Sequence, residues 1–275
     1  MVWQNLALSE KEFLEHLNSD CAACLSELLM VAEIDSTNSY LQRLGDPDLG
    51  KMNICIADHQ TAGKGRRGNK WENIYSGSLL YSISWMFAEI PKDFAALSLA
   101  VAVEIKNALN DFGFSSIQLK WPNDILVNEA KLGGILLEAA QRKHGVHLVC
   151  GIGINVLKGV EPSNLQYPVI SLQECPSEAK ETKKLEFSRN HLAAIITNRL
   201  LELFQTFSAK GFTPWFNQWQ AAHAFADERV KVTTPNGIFK GKALGINSEG
   251  AYQVDCDGDI KSFISNEFSI RKIIQ

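Results

Sequence analysis

The sequence predicts an α+β protein in which a β-sheet packs against helices and a small β-barrel follows. Apolar strand-like runs at 28–34, 53–57 and 78–85 interleave with helical patterns, above all at 94–112. From about Arg229 the texture changes to short alternating runs divided by turn residues. The 275 residues, 45% hydrophobic and 21% charged, suffice for one large domain and a small second one, and we expect a boundary near residue 226. No internal repeat or low-complexity segment interrupts this organisation.

Composition narrows the functions. A formal charge of −4 argues against a general nucleic-acid binder while leaving room for a local basic site. No apolar run approaches about 18 residues, and Met1-Val-Trp-Gln is not a basic region leading into an apolar stretch. A cytoplasmic protein without a membrane partner is expected. Cysteines at 21, 24, 55, 150, 175 and 256 lack the spacing of a disulfide scaffold. Cys21-Ala-Ala-Cys24 has no second pair to complete a metal site, and His144 and His147 lack a nearby Cys or paired carboxylate ligand, so no metal ligands are assigned.

In chain order, residues 9–17 read as a short helix with Ser9 and Glu12 in a capping-box pattern and Phe13, Leu14 and Leu17 on one face. A strand at 28–34 ends in Asp35-Ser36-Thr37-Asn38 before a helical stretch to Leu44. Ser36, Thr37 and Asn38 offer small donors and acceptors there; a plain N-cap has the same letters. The loop from Gln60 to Trp71 carries Gly63, Gly65 and Gly68 for close backbone approach, and Lys64, Arg66, Arg67 and Lys70 with no acidic residue among them. It suits an anion, although a solvated basic turn shares the composition. Gly63-x-Gly65-x-x-Gly68 has the form of a dinucleotide fingerprint, but a strand rather than a helix follows it. Asn69 after Gly68 likewise excludes a P-loop.

The helix at 94–112 places Leu97, Val101, Ile105 and Leu109 on one face, to pack against the sheet. Pro122 breaks a strand-like run at 117–127 and forces a corner before Asn123 and Asp124. A turn then leads into 131–139, giving a hairpin with Asp124 and Lys131 near its base; a surface Asp and Lys flanking buried strands is the plainer reading. A strand at 146–150 runs into Gly151-Ile-Gly153-Ile-Asn155, and 156–172 reads as a mobile loop. Helices are expected at 185–207 and 214–222, then short strands at 230–233, 237–244, 251–254 and 260–264 with turns at Pro235-Asn236-Gly237, Ser248-Glu-Gly250 and Asp257-Gly258.

Together, Asp35-Ser-Thr-Asn38, Gln60-Thr-Ala-Gly-Lys-Gly-Arg-Arg-Gly68, Lys120-Trp-Pro-Asn-Asp124, Lys131-Leu-Gly-Gly-Ile135 and Gly151-Ile-Gly-Ile-Asn155 strongly resemble the biotin protein ligases. The resemblance implies a mixed sheet of the class II synthetase type, a biotin- and ATP-binding catalytic domain at 1–226 and an SH3-like β-domain at 227–275. It implies joining biotin to AMP, with ATP and Mg²⁺, and transferring the biotinyl group to a lysine of the biotin carboxyl carrier protein domain of acetyl-CoA carboxylase.

By resemblance the catalytic groups are Lys131, Arg66 and Asp124, the last to orient or deprotonate the target lysine. Biotin falls to Ser36, Thr37, Asn38, Gln60, Gly63, Lys64, Gly65, Arg66, Lys131 and Gly134. ATP and the adenylate fall to Arg66, Arg67, Trp71, Asn123, Lys131 and Asn155, with Trp71 stacking on adenine. Loops 60–71 and 156–172 would shield the adenylate from water.

Lys64 stands where many relatives carry Arg, replacing a planar fork by a point charge, and Asn69 takes a place often held by Arg. Only about 30 residues precede the ligase-like region, so no DNA partner is expected; the resemblance allows a homodimer. The alternatives are a lipoate-type protein ligase, which shares fold and adenylation chemistry, and a non-catalytic biotin-responsive regulator. The basic loop and C-terminal β-domain favour biotin, and Lys131 with Arg66 favours catalysis.

Overall fold

The computed structural model describes residues 2–3, 6–72, 77–159, 168–176, 186–264 and 268–273. The chain opens with strand β1 (Val2–Trp3) and helices α1 (Glu10–Glu15) and α2 (Ser19–Cys24), followed by β2 (Leu25–Ile34) and α3 (Thr37–Leu44). Then come β3 (Met52–Gln60), β4 (Ser78–Phe87), α4 (Leu97–Asp111), β5 (Gln118–Lys120), β6 (Asp124–Val127), β7 (Ala130–Arg142) and β8 (Gly145–Asn155). After β9 (Glu186–Phe187), α5 (Arg189–Lys210) and α6 (Thr213–Ala221) lead to β10 (Arg229–Thr234), β11 (Gly237–Ile246), β12 (Tyr252–Cys256), β13 (Asp259–Phe263) and β14 (Ser269–Lys272).

Seven strands form a mixed sheet in the order β2-β3-β4-β8-β7-β6-β5, parallel only between β2 and β3. All ten residues of the interior strand β4 are buried, and its two faces differ in chemistry. Leu79, Tyr81, Ile83, Trp85 and Phe87 join the main core beneath α4 and α5. Ser78, Leu80, Ser82, Ser84 and Met86 alternate onto the opposite face, the side on which α3 packs through Leu41 against Cys55 and Val149. That second face holds the site. Burial pushes the Cys21 and Cys55 thiols up to about 12, in keeping with small apolar fillers.

The C-terminal strands form an antiparallel sheet in the order β13-β12-β11-β10-β14, consistent with the SH3-like expectation. It is fastened to the β5–β6 corner. Trp121 Nε1 donates to the Gly250 carbonyl at 3.1 Å, and its ring lies against Tyr252 and Phe268. Lys272 bridges Glu129, in the turn between β6 and β7, and Glu228.

Several local features differ from the sequence reading. Ser9 accepts from the Glu12 N–H, but the reciprocal arm of the capping box is absent: Asn190 of α5 binds both the Ser9 N–H and the Glu12 carboxylate. The Cys21-x-x-Cys24 segment is helix α2, capped by Asn18. β1, β9 and β14 were not foreseen, because runs of two to four residues carry no readable period. β8 runs unbroken through the glycines at 151 and 153. His147, for which no paired carboxylate ligand was expected, has the single carboxylate of Asp46 2.9 Å from its Nδ1. Residues 160–167, within the expected loop at 156–172, and residue 185, at the start of an expected helix, lie outside the described residues.

Candidate active site

A cleft of about 1200 Å³ opens on the α3 face of the sheet, floored by β4, β7 and β8 and flanked by the 60–72 loop and the start of α3. Every site residue expected from the sequence lines it. No group of three His, Cys, Asp or Glu side chains among the described residues is placed to hold a metal ion.

One end is neutral and hydrogen-bonded. Ser36 has extended backbone and caps α3, so the first helical residues turn into the cleft beside Gln60 at the end of β3. Gln60 Oε1 accepts from the Thr37 N–H at 2.7 Å and lies 3.1 Å from Thr37 Oγ1. Ser82 Oγ is 2.6 Å from both Thr37 Oγ1 and Asn38 Oδ1, and Asn38 Nδ2 donates to Glu138 Oε2 at 2.7 Å. The absence of a side chain at Gly151 lets Asn38 come this close to the sheet. Just outside the cleft rim, Arg43 grips Asp35 with two hydrogen bonds, which hold its carboxyl down at about 2.

The other end is cationic. Asp124, at the start of β6, pairs with Lys131 at 2.6 Å and Lys120 at 3.3 Å, all three at most 17% exposed. Burial works to raise the Asp124 pKa, but the two lysines outweigh it and hold the carboxyl below its ordinary value. Arg66 donates to Asn123 Oδ1 at 2.7 Å, and Asn123 Nδ2 in turn donates to the Ile135 carbonyl at 2.6 Å, tying the loop to the hairpin. Burial draws the Arg66 pKa down and the nearby Asp124 opposes it.

Between the ends, the loop folds back as a small hairpin. Gly65 N–H donates to the Asn69 carbonyl at 2.7 Å and Trp71 N–H to the Gly63 carbonyl at 3.0 Å, with a left-handed turn at Arg67 (φ 59°) and Gly68 (φ 74°). A Cβ on Gly63 would lie 2.6 Å from the Trp71 carbonyl, so this closure needs the glycine. Lys64, Arg67 and Lys70 are exposed along the rim. The Trp71 ring lies on β8, where a Cβ at Gly153 would come within 2.5 Å of it, and Lys131 Nζ sits 5.5 Å from its centroid. The buried Trp71 Nε1 has no acceptor among the described residues. Asn155 Nδ2 reaches the carbonyls of Ile170, at 3.2 Å, and Lys131, at 3.4 Å.

Sequence reasoning missed Ser82, Glu138 and Lys120 as members of these networks. The alternation in β4 of apolar residues with Ser78, Ser82 and Ser84 was the available signal for the first, and the Lys120-Trp-Pro-Asn-Asp124 run held Lys120 four residues from Asp124; Glu138 had none, because its partner Asn38 lies 100 positions away.

Residues 30–155 match the Biotin/lipoate A/B protein ligase family, and residues 226–271 match the Biotin protein ligase C terminal domain. The chain is 32% identical to the Bifunctional ligase/repressor BirA of Escherichia coli K12, over 96% of this chain and 78% of that protein. It is 33% identical to the Biotin--[acetyl-CoA-carboxylase] ligase of Mycobacterium tuberculosis, over 84% of each. The Aquifex aeolicus biotin protein ligase in complex with biotin and ATP superposes with a TM-score of 0.73 at 28% identity, covering 90% of this chain and all of that one.

Proposed function

The chain belongs to the biotin/lipoate A/B protein ligase family, and from that membership we propose that it activates biotin as biotinyl-5′-AMP and transfers the biotinyl group to a lysine of a carrier protein domain. The observation that carries this reading is the polarity of the cleft, neutral hydrogen-bonding groups at one end and half-buried cations at the other. Biotin has the same polarity: a neutral cyclic urea at one end and a carboxylate at the other. The C-terminal domain match favours biotin over lipoate.

In the first step the biotin carboxylate attacks the α-phosphorus of ATP, a P–O bond forms and pyrophosphate leaves. Two anions must meet, so the charge on the phosphate oxygens has to be offset in place. Lys131 does this between carboxylate and α-phosphate, while Arg66, steadied by Asn123, holds phosphate oxygens. Mg²⁺ arrives on the triphosphate as part of the substrate. Arg67 and Lys64 on the rim attract the anionic tail, and Trp71 and Asn155 serve the adenine side. Ser36, Thr37 and Gln60 meet the urea with Asn38 close by, and Gly63, Gly65 and Gly134 let the backbone close on the ligand.

In the second step the carrier lysine, as a neutral amine, attacks the acyl carbon and AMP departs. Asp124 orients that amine or takes its proton. While Lys131 engages phosphate, Lys120 remains as a counter-ion to Asp124.

The test is incubation with ATP, Mg²⁺ and either biotin or lipoate, following pyrophosphate release and acyl transfer to an isolated biotin carboxyl carrier domain. Biotin-dependent turnover is expected, reduced at least about 100-fold by Lys131→Ala, the scale for removing one charge-stabilising group. Turnover with lipoate alone, or tight biotin binding without turnover, overturns the reading.

A further inference from the structure

Ser82 has one hydroxyl proton and two acceptors, Thr37 Oγ1 and Asn38 Oδ1, both at 2.6 Å. The row continues from Thr37 Oγ1 to Gln60 Oε1 at 3.1 Å, and both of its ends are fixed as acceptors. At one end the Thr37 backbone N–H, which can only donate, faces Gln60 Oε1 at 2.7 Å. At the other a carboxylate, which accepts, faces Asn38 at 2.7 Å, with the Leu136 carbonyl a second, longer acceptor at 3.4 Å; Nδ2 must therefore point to Glu138 and Oδ1 to Ser82.

Three oxygen–oxygen contacts thus share two hydroxyl protons. Contacts of 2.6 Å require a proton between them, whereas the separation of 3.1 Å is the one that tolerates its absence. Ser82 then donates to Asn38, Thr37 donates inward to Ser82, and Thr37 Oγ1 is left with lone pairs toward the cleft that it lines. Glu138 does not line the cleft and acts only through Asn38 and Ser82.

We propose that Glu138 is a positioning residue that sets the direction of this hydrogen-bond row and so makes Thr37 an acceptor for a ligand N–H. The proposal rests on the biotin reading, in which that N–H belongs to the cyclic urea. With an amide at 138 only the longer contact to the Leu136 carbonyl still favours the original orientation, and Asn38 gains freedom to turn. Its Nδ2 then donates to Ser82, Ser82 to Thr37 and Thr37 to Gln60: the row satisfies itself, and a lone pair of Thr37 is consumed.

The experiment is calorimetric binding of biotin, and of biotin methylated on either ureido nitrogen, to the wild type, Glu138→Gln, Ser82→Ala and the double substitution Asn38→Asp/Glu138→Gln. Glu138→Gln is expected to weaken biotin binding about 10- to 100-fold, the range for one polar contact of this kind. It should shrink the preference for biotin over a methylated form and leave the KM for ATP unchanged. Ser82→Ala, which cuts the row without changing charge, should shrink the same preference.

The double substitution restores an acceptor opposite Ser82, with the amide at 138 now donating to it, and should recover biotin affinity to within about 10-fold of wild type. Unchanged affinity and preference in Glu138→Gln, or equal weakening of both ligands without recovery in the double substitution, overturns the proposal. If Glu138→Gln does not fold, Ser82→Ala and the double substitution decide. A wild type that binds no biotin instead removes the ligase reading on which the proposal stands.

Discussion

At Gly151 the space of a missing side chain is filled by Asn38: an added Cβ would lie 2.2 Å from Oδ1 and 2.9 Å from Cγ. Asn38 is 4% exposed and bound on both sides, so it has nowhere to retreat without leaving Ser82 or Glu138. Gly151→Ala is therefore expected to weaken biotin binding about 10-fold or more while shifting the thermal midpoint by only a few degrees, the cost of displacing about one hydrogen bond. Titration calorimetry beside a melting curve measures both. Residues of this kind were half legible. Gly151 was marked by its run with Gly153 and Asn155, and Thr37 and Asn38 by their place after a strand. Their true neighbours were not, since Ser82 and Glu138 lie 44 and 100 positions from Asn38.

Among the elements, the end of α6 shows best how a buried polar group ties two layers. His223, just past that helix, stacks on Trp219, and its Nε2 lies 3.0 Å from the Tyr252 hydroxyl of β12. Burial pushes its pKa from 6.5 down to about 4, with Asp227 opposing. The unfolded chain then binds the extra proton between pH 6.5 and 4, so this group's contribution is complete above 6.5 and is lost as pH falls toward 4. The loss is on the order of 3 kcal/mol. Denaturant unfolding from pH 7 to pH 4 should show a shallower decline for His223→Gln than for the wild type. The elements themselves were largely readable where a period extended over four residues or more. β4, α4 and the hairpin of β6 and β7 were foreseen, whereas α2 hid behind a cysteine pattern and β14 beyond the last expected strand.

For the whole molecule, the C-terminal sheet braces the segment that carries Asp124 and Lys131 from both sides. Trp121 lies three residues before Asp124 and donates to Gly250; Glu129 lies two before Lys131 and pairs with Lys272. Trp121→Phe keeps most of the ring packing but strands the Gly250 carbonyl, and is expected to cost about 1 kcal/mol by chemical denaturation. A raised KM for ATP is expected with it, because the Asp124–Lys131 pair loses its brace. This coupling was invisible in the sequence, where the two domains read as successive textures. Another consequence follows from Trp71 lying over the glycines of the floor. Of the tryptophans whose side chains are described, Trp85, Trp121, Trp215 and Trp219 are at most 6% exposed, and Trp71 alone is not buried. The protein thus carries its own optical probe: intrinsic fluorescence, to which these four shielded indoles make a steady contribution, should change when a nucleotide lifts or covers the Trp71 ring, giving a label-free signal for the rate at which the loop yields its seat.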